Sequence, residues 1–156
     1  MDVMPEETVD HYRVHCVVPA SAETVFAVLA DPTRHRDFDG ANMVRDAIDP
    51  QPLTSEGQIF RMNMQHESVG DYTIENHVRK VKPYEEISWM PSAGGRTPTG
   101  YWWGYDVRAI DEHSCEVGLN YDWSAVTHPK MRARFGHSNQ DNMQASLTLL
   151  QGLFAD

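Results

Sequence analysis

Only two cysteines, Cys16 and Cys115, occur in 156 residues. That is too few for a disulfide framework, and nothing in the chain marks an oxidising compartment, so both are expected to be reduced strand residues. The longest apolar run is Val25 to Ala30, far short of the roughly 20 residues that a membrane-spanning helix needs. Basic residues are scarce too: thirteen Lys and Arg face twenty-three Asp and Glu, for a formal net charge of -10. This leaves no general basic face for nucleic acid or an anionic membrane. The first ten residues are acidic and lack the basic-then-apolar pattern of a signal peptide. The expectation is a cytoplasmic protein without stable membrane insertion and without a nucleic-acid partner.

Catalytic signatures are missing as well. There is no Walker loop, no GxGxxG, no GxSxG and no HExxH. His11 and His15 are four residues apart, but on an expected strand that puts them about 13 Å apart along the chain, too far to share a metal. His113, His128 and His137 have no cysteine or carboxylate at ligand spacing. Neither cysteine has an evident histidine partner for a thiol nucleophile. No metal and no cofactor are expected.

What is present is organisation. The stretch Val17-Val18-Pro19-Ala20-Ser21-Ala22-Glu23-Thr24-Val25-Phe26 reads as a strand that breaks at Pro19 and then a helix capped by Ser21. Glu23 sits favourably in its first turn, and Ala22, Val25, Phe26 and Leu29 recur at helical spacing. Asp31 followed by Pro32 signals a second short helix at once. From there on strand signals dominate: Val44 to Asp49, Gln58 to His66, Tyr72 to Val81, Glu86 to Met90, Tyr101 to Ile110 and Cys115 to Trp123. A helical region follows from 127 to 154, in which Met143, Leu147, Leu150 and Phe154 form one apolar stripe. Ser138 with Asp141 resembles a capping box, so the long helix is expected to begin or restart there, after Gly136. Pro91 to Gly100, with three glycines and two prolines, is expected to be a loop. It is either a mobile lid carrying Arg96 or a solvated turn.

One hairpin register can be weighed. A five-residue loop, Glu67 to Asp71, pairs His66 with Tyr72, Met64 with Ile74, Met62 with Asn76 and Phe60 with Val78. A four-residue loop would set Met62 and Met64 beside Glu75 and Thr73, and a one-residue slip moves every side chain to the other face. The first option keeps the apolar residues together and is preferred. With no repeat or low-complexity tract, a single domain over residues 1–156 is expected, residues 1–8 forming a tail.

The order β-α-α-β-β-β-β-β-β-α, the segment Val18 to Phe26 with Leu29-Ala30-Asp31-Pro32, and the softer motifs Asn76-His77-Val78, Ile87-Ser88-Trp89, Gly104-Tyr105-Asp106-Val107 and Tyr121-Asp122-Trp123-Ser124 resemble the START-like, or SRPBCC, superfamily in its polyketide cyclase/dehydratase-like branch. The resemblance implies an α+β helix-grip fold: a curved antiparallel sheet of about seven strands around a long C-terminal helix, with two short helices after the first strand. It implies adjacent first and last strands, hence Cys16 close to Cys115. It also implies a cavity between the concave face and the helix. Alternation along the strands then nominates Phe60, Met62, Met64 and His66, and next Tyr72, Ile74, Asn76 and Val78. Trp103, Tyr105 and Val107 follow, with Val117, Leu119, Tyr121 and Trp123, and Phe135, Met143 and Leu147 come from the helical region. The same residues are equally those of a filled core. His66 and Asn76 interrupt an apolar face, each as a structural polar residue or as a ligand contact.

The scaffold hosts lipid carriers, cyclases, hormone receptors and chaperone regulators, so it implies a fold more firmly than a function. The leading expectation is binding of an apolar, partly oxygenated small molecule such as a polyketide, sterol or lipid-like compound. The alternative is a polyketide cyclase, aromatase or dehydratase with His66, Tyr72 or Tyr105 as acid or base. A chaperone-regulator-like interaction module comes third. An outward Trp102 is a candidate homodimer surface.

Overall fold

The computed structural model describes residues 9–136 and 139–155. Seven strands form one antiparallel sheet: β1 (His11–Val18), β2 (Val44–Ile48), β3 (Ile59–His66), β4 (Gly70–Lys82), β5 (Glu86–Ala93), β6 (Trp102–Asp111) and β7 (Ser114–Asp122). Their spatial order is β1-β7-β6-β5-β4-β3-β2. Helix α1 (Ala22–Leu29) and a 3₁₀ helix (Pro32–Phe38) stand between β1 and β2, and α2 (Pro129–Arg132) and α3 (Gln140–Phe154) follow β7. This is an α+β helix-grip fold, the curved sheet closing around α3.

Local chemistry explains the entry segment. The Ser21 hydroxyl accepts the Thr24 N–H at 3.1 Å and caps α1, a contact worth about 1 kcal/mol. Ala22, Val25, Phe26 and Leu29 are the buried face of α1. The Asp31 carboxylate accepts the Thr33 N–H at 3.0 Å, and Pro32 opens the 3₁₀ helix. Its buried residues, Pro32, His35 and Phe38, recur every three positions, the period of a 3₁₀ helix. At its exit Gly40 meets α3. Its N–H donates to Ser146 Oγ at 2.8 Å, and a Cβ there would overlap the Asn142 carbonyl oxygen.

Two expectations need correction. The β3–β4 loop spans only Glu67–Val69, so His66 pairs with Gly70, Met64 with Tyr72, Met62 with Ile74 and Phe60 with Asn76. Gly70, at φ +81°, takes the left-handed turn position that a side chain disfavours and closes the hairpin early. The register therefore moves by two residues, which leaves every side chain on its expected face. Second, β5 runs on through Pro91 to Ala93, so the loop is shorter than Pro91 to Gly100. The C-terminal region divides at Gly136, φ +82°, as expected, with α2 before it and α3 after it. Asn139 is the N-cap residue of α3 and makes no side-chain cap; the expected cap, Ser138, lies outside the described residues. Cys115 pairs with Val18 and Cys16 with Val117, so the two thiols are close, diagonal neighbours, as adjacent first and last strands imply. Both are free, and burial followed by the nearby Cys115 pushes the Cys16 thiol up to about 11.

Candidate functional site

Between the concave face of the sheet, the 3₁₀ helix and α3 lies a cavity of about 640 Å³. Strand alternation builds most of its wall. β3 contributes Met62, Met64 and His66, and β4 contributes Tyr72, Ile74 and Asn76. Trp89 and Pro91 come from β5, Trp103 and Tyr105 from β6, Leu119 and Tyr121 from β7. The helical region adds Met131, Arg134, Phe135, Asn142, Met143 and Ser146. Aromatic packing stiffens the wall: Trp103 stacks on Tyr121 with centroids 3.8 Å apart and planes at 10°, and Phe135 lies 5.2 Å from Tyr101.

The cavity has two unlike ends. His66 and Arg134 are exposed and Tyr72, Tyr101 and Phe135 half-buried, so this end is the mouth. Tyr105, Asn76, His35 and Phe38 are buried and form the inner end. Along β6, the step from Tyr101 to Tyr105 corresponds to about 13 Å.

Of the residues nominated from the sequence, Met62, Met64, His66, Tyr72, Ile74, Asn76, Trp103, Tyr105, Leu119, Tyr121, Phe135 and Met143 line this cavity; Phe60 and Leu147 do not. Phe60 is 5% exposed and packs edge-on against His35 and Trp89, behind the inner end. Leu147 is fully enclosed in the core. Val78, Val107, Val117 and Trp123 also belong to the packed core and not to the wall. His66 is tied into the hairpin, its Nδ1 accepting the Ser68 N–H at 3.1 Å. The glycine-rich turn after β5 is held to β4 by Glu75, whose Oε1 accepts the Gly95 N–H at 2.6 Å. None of residues 94–100, Arg96 included, lines the cavity. Trp102 is on the convex face with the Arg79 guanidinium 4.2 Å from its ring centroid.

Six polar residues of the wall escaped the sequence reading: His35, Asp39, Arg134, Asn139, Asn142 and Ser146. Asp39 follows the 3₁₀ helix, and its carboxylate accepts the N–H groups of Ala41, Met43 and Val44 at 3.1, 2.6 and 2.7 Å. Ser146 is occupied by Gly40. His35 is 7% exposed, its Nε2 2.8 Å from the Leu29 carbonyl oxygen. Its imidazole stacks on Trp89 at 5.1 Å and 22° and meets Phe38 and Phe60 edge-on. The three-residue period of Pro32, His35 and Phe38 is the signal that could have found it.

Burial sets the protonation states here. It lowers the His35 pKa, more than the Leu29 carbonyl and Asp31 raise it, and so favours the neutral ring. Burial, reinforced by the negative charge of Asp39, raises the Tyr105 and Tyr72 hydroxyls and keeps both as donors. Tyr101 and Tyr121 are raised by burial too. The site is therefore an apolar, aromatic tube with neutral donors and acceptors at its inner end. Among the described residues no group of three or more His, Cys, Asp or Glu could hold a metal, and no helix is long and apolar enough to cross a membrane.

Comparison with known proteins fits this architecture. The chain is 28% identical over 144 residues to the uncharacterized protein Rv0088 of Mycobacterium tuberculosis, covering 88% of this chain and 61% of the relative. It thus spans about three fifths of the length of the curated relatives it matches. Among solved structures, a START superfamily protein from Mycobacterium smegmatis superposes with a TM-score of 0.65 at 14% identity, covering 94% of this chain and 97% of the other. The Zhui aromatase/cyclase from Streptomyces sp. R1128 gives 0.62 at 16%, covering 92% of each. The Aha1 dimer from Colwellia psychrerythraea gives 0.58 at 14%, covering 94% and 97%. These structures share the fold. Residues 19–154 match the family described as Activator of Hsp90 ATPase homolog 1-like protein, and the chain belongs to that family.

Proposed function

We propose that this protein binds an apolar, partly oxygenated small molecule, of polyketide, sterol or lipid type, in the cavity between the sheet and α3. One observation carries the reading: a cavity of about 640 Å³ whose wall is aromatic and methionine-rich and whose inner end presents polar groups, Asn76, Tyr105 and His35. A void of this size forfeits packing, and the Asn76 amide, the Tyr105 hydroxyl and His35 Nδ1, which open onto it, have no protein hydrogen bond to make among the described residues. A ligand with a mostly apolar body and a few oxygens recovers both. Met62, Met64, Met131 and Met143 give that wall adaptable, polarizable surface.

Ring closure or dehydration of a polyketide chain is the second reading. It draws on the aromatase/cyclase neighbour and on Tyr105, a protonated hydroxyl beside a cavity that could hold a flexible chain curled on itself. A chaperone partner, suggested by the family's name, gains no support from the convex face, where charged residues pair with one another.

The test is native mass spectrometry of the protein purified from its own host, with extraction and identification of anything bound. A stoichiometric apolar compound is the expected result. At a hundred times its dissociation constant, such a compound should stabilise the fold by about 2.7 kcal/mol. No bound compound, together with no thermal shift from polyketides, sterols or fatty acids, would overturn the reading in favour of a protein partner.

A further inference from the structure

The inner end of the cavity carries two polar groups without a hydrogen-bond partner among the described residues. A carbonyl oxygen only accepts, so the contact between His35 Nε2 and the Leu29 carbonyl puts the ring proton on Nε2. In the neutral ring Nδ1 then holds a lone pair. Neither this nitrogen nor the Asn76 side-chain amide has a hydrogen-bond partner among the described residues. Yet no enclosed side-chain nitrogen or oxygen among those residues lacks a partner. Both groups therefore reach open space, and both residues line the cavity.

The imidazole cannot turn away. The Leu29 carbonyl holds one edge, Trp89 covers one face, and Phe38 and Phe60 pack against it edge-on. Asn76 sits opposite Phe60 in the β3–β4 register, so the two polar groups flank a single ring. Asn76 is 6% exposed and His35 7%. The result is a fixed acceptor and an amide donor in an apolar end wall.

We propose that this end of the cavity is a hydroxyl-binding subsite, in which Nδ1 of His35 accepts a hydrogen bond from an alcohol, phenol or enol of the ligand and the Asn76 amide supplies the complementary donor. The chemistry discriminates. A ketone has no proton to give Nδ1. A carboxylate sets its own lone pairs against that nitrogen, in a wall that already contains the Asp39 charge felt by Tyr105. A hydroxyl both gives and accepts. Its absence leaves both protein groups unpaired, which is the strongest form of recognition an apolar site can offer. The inference rests on the cavity being the ligand site and narrows the ligand to a neutral molecule with a hydroxyl at its leading end.

The experiment compares 2-naphthol with 2-methylnaphthalene, molecules of nearly one shape that differ by OH against CH₃. The full chain is titrated with each and followed by backbone amide NMR shifts. Apolar transfer alone favours the methyl compound. The subsite is expected to reverse that order, 2-naphthol binding about tenfold tighter or more, with Asn76→Leu narrowing the gap. Long-range spectra of ¹⁵N-histidine-labelled protein are expected to show His35 protonated at Nε2, with an Nδ1 resonance that moves on adding 2-naphthol and not on adding 2-methylnaphthalene. Equal or tighter binding of the methyl compound, or a proton on Nδ1, would overturn the subsite while leaving the cavity reading intact. Binding of neither compound would overturn both.

Discussion

Along β6, Trp102, Gly104, Asp106 and Arg108 face one way, and Trp103, Tyr105 and Val107 the other. On the first, convex side, Arg13 donates to both Asp106 oxygens at 3.2 and 2.7 Å, Asn120 Nδ2 adds a third hydrogen bond at 2.7 Å, and Arg108 reaches Glu116 at 3.2 Å. Burial would raise the Asp106 carboxyl, but the bonds from Arg13 and Asn120 outweigh it and hold the group below the usual carboxylate range. Room for this network comes from Gly118, where a Cβ would crowd the Arg13 guanidinium and the Asp106 carboxylate. On the concave side, Tyr105, Asn76 and His35 Nδ1 have no such partners among the described residues. The same strands thus satisfy their polar groups internally on one face and leave them open on the other. The convex face closes on its own neighbours; the concave face opens onto the cavity.

The contrast can be attacked in order of effect. Leu147 is fully enclosed beyond the cavity, whereas Met64 is a half-buried wall residue. Leu147→Ala should lose about 2–5 kcal/mol, and Met64→Ala about 1 kcal/mol because its side chain is only partly removed from water. Denaturant unfolding of both measures this, and equal losses would mean that the cavity is packed like the core.

The next effect is a pH slope. Burial leaves the folded His35 pKa below the ordinary value, so the folded state binds fewer protons than the unfolded chain under acid. The contribution is full above about pH 6.5 and is lost on acidification, by up to about 1.4 kcal/mol per pH unit until the folded pKa is reached. His35→Gln, which keeps an N–H for the Leu29 carbonyl, should flatten that slope in unfolding curves taken from pH 7 down to 5. An unchanged slope would place the acid sensitivity elsewhere.

Smallest is the asparagine pair. Asn120→Leu removes a charge-assisted bond from the partly exposed Asp106 and should cost about 1 kcal/mol. Asn76→Leu removes an amide with no partner and should be neutral or slightly stabilising without ligand. A larger loss at Asn76 than at Asn120 in thermal unfolding would reverse the distinction between the faces.

How much was legible follows from which residues signal their surroundings locally. Strand faces were, because a period of two survives even a misplaced turn: the β3–β4 register moved by two residues and Met62, Met64 and Ile74 kept their sides. The turn itself was not, since the left-handed residue was Gly70 and two start points fit the same alternation. Nor was the boundary between wall and core. Phe60 and Leu147 lie on the right faces but beyond the cavity, a matter of how far the sheet and α3 separate, which no periodicity encodes. His35 and Asp39 were hidden for another reason. They reach the cavity from a 3₁₀ helix and the segment after it, where a search tuned to strand and α-helix periods does not look.

The gap between Nδ1 of His35 and any protein donor also bears on how this chain can change over time. Groups that fold the protein are tied to one another and must change together. The two inner-end groups differ in this: His35 is bound to the Leu29 carbonyl oxygen and stacked on Trp89, whereas the Asn76 amide has no hydrogen-bond partner among the described residues and can be exchanged alone with little loss of stability. Substitution at Asn76 can therefore change the chemistry of the cavity's inner wall without putting the fold at risk.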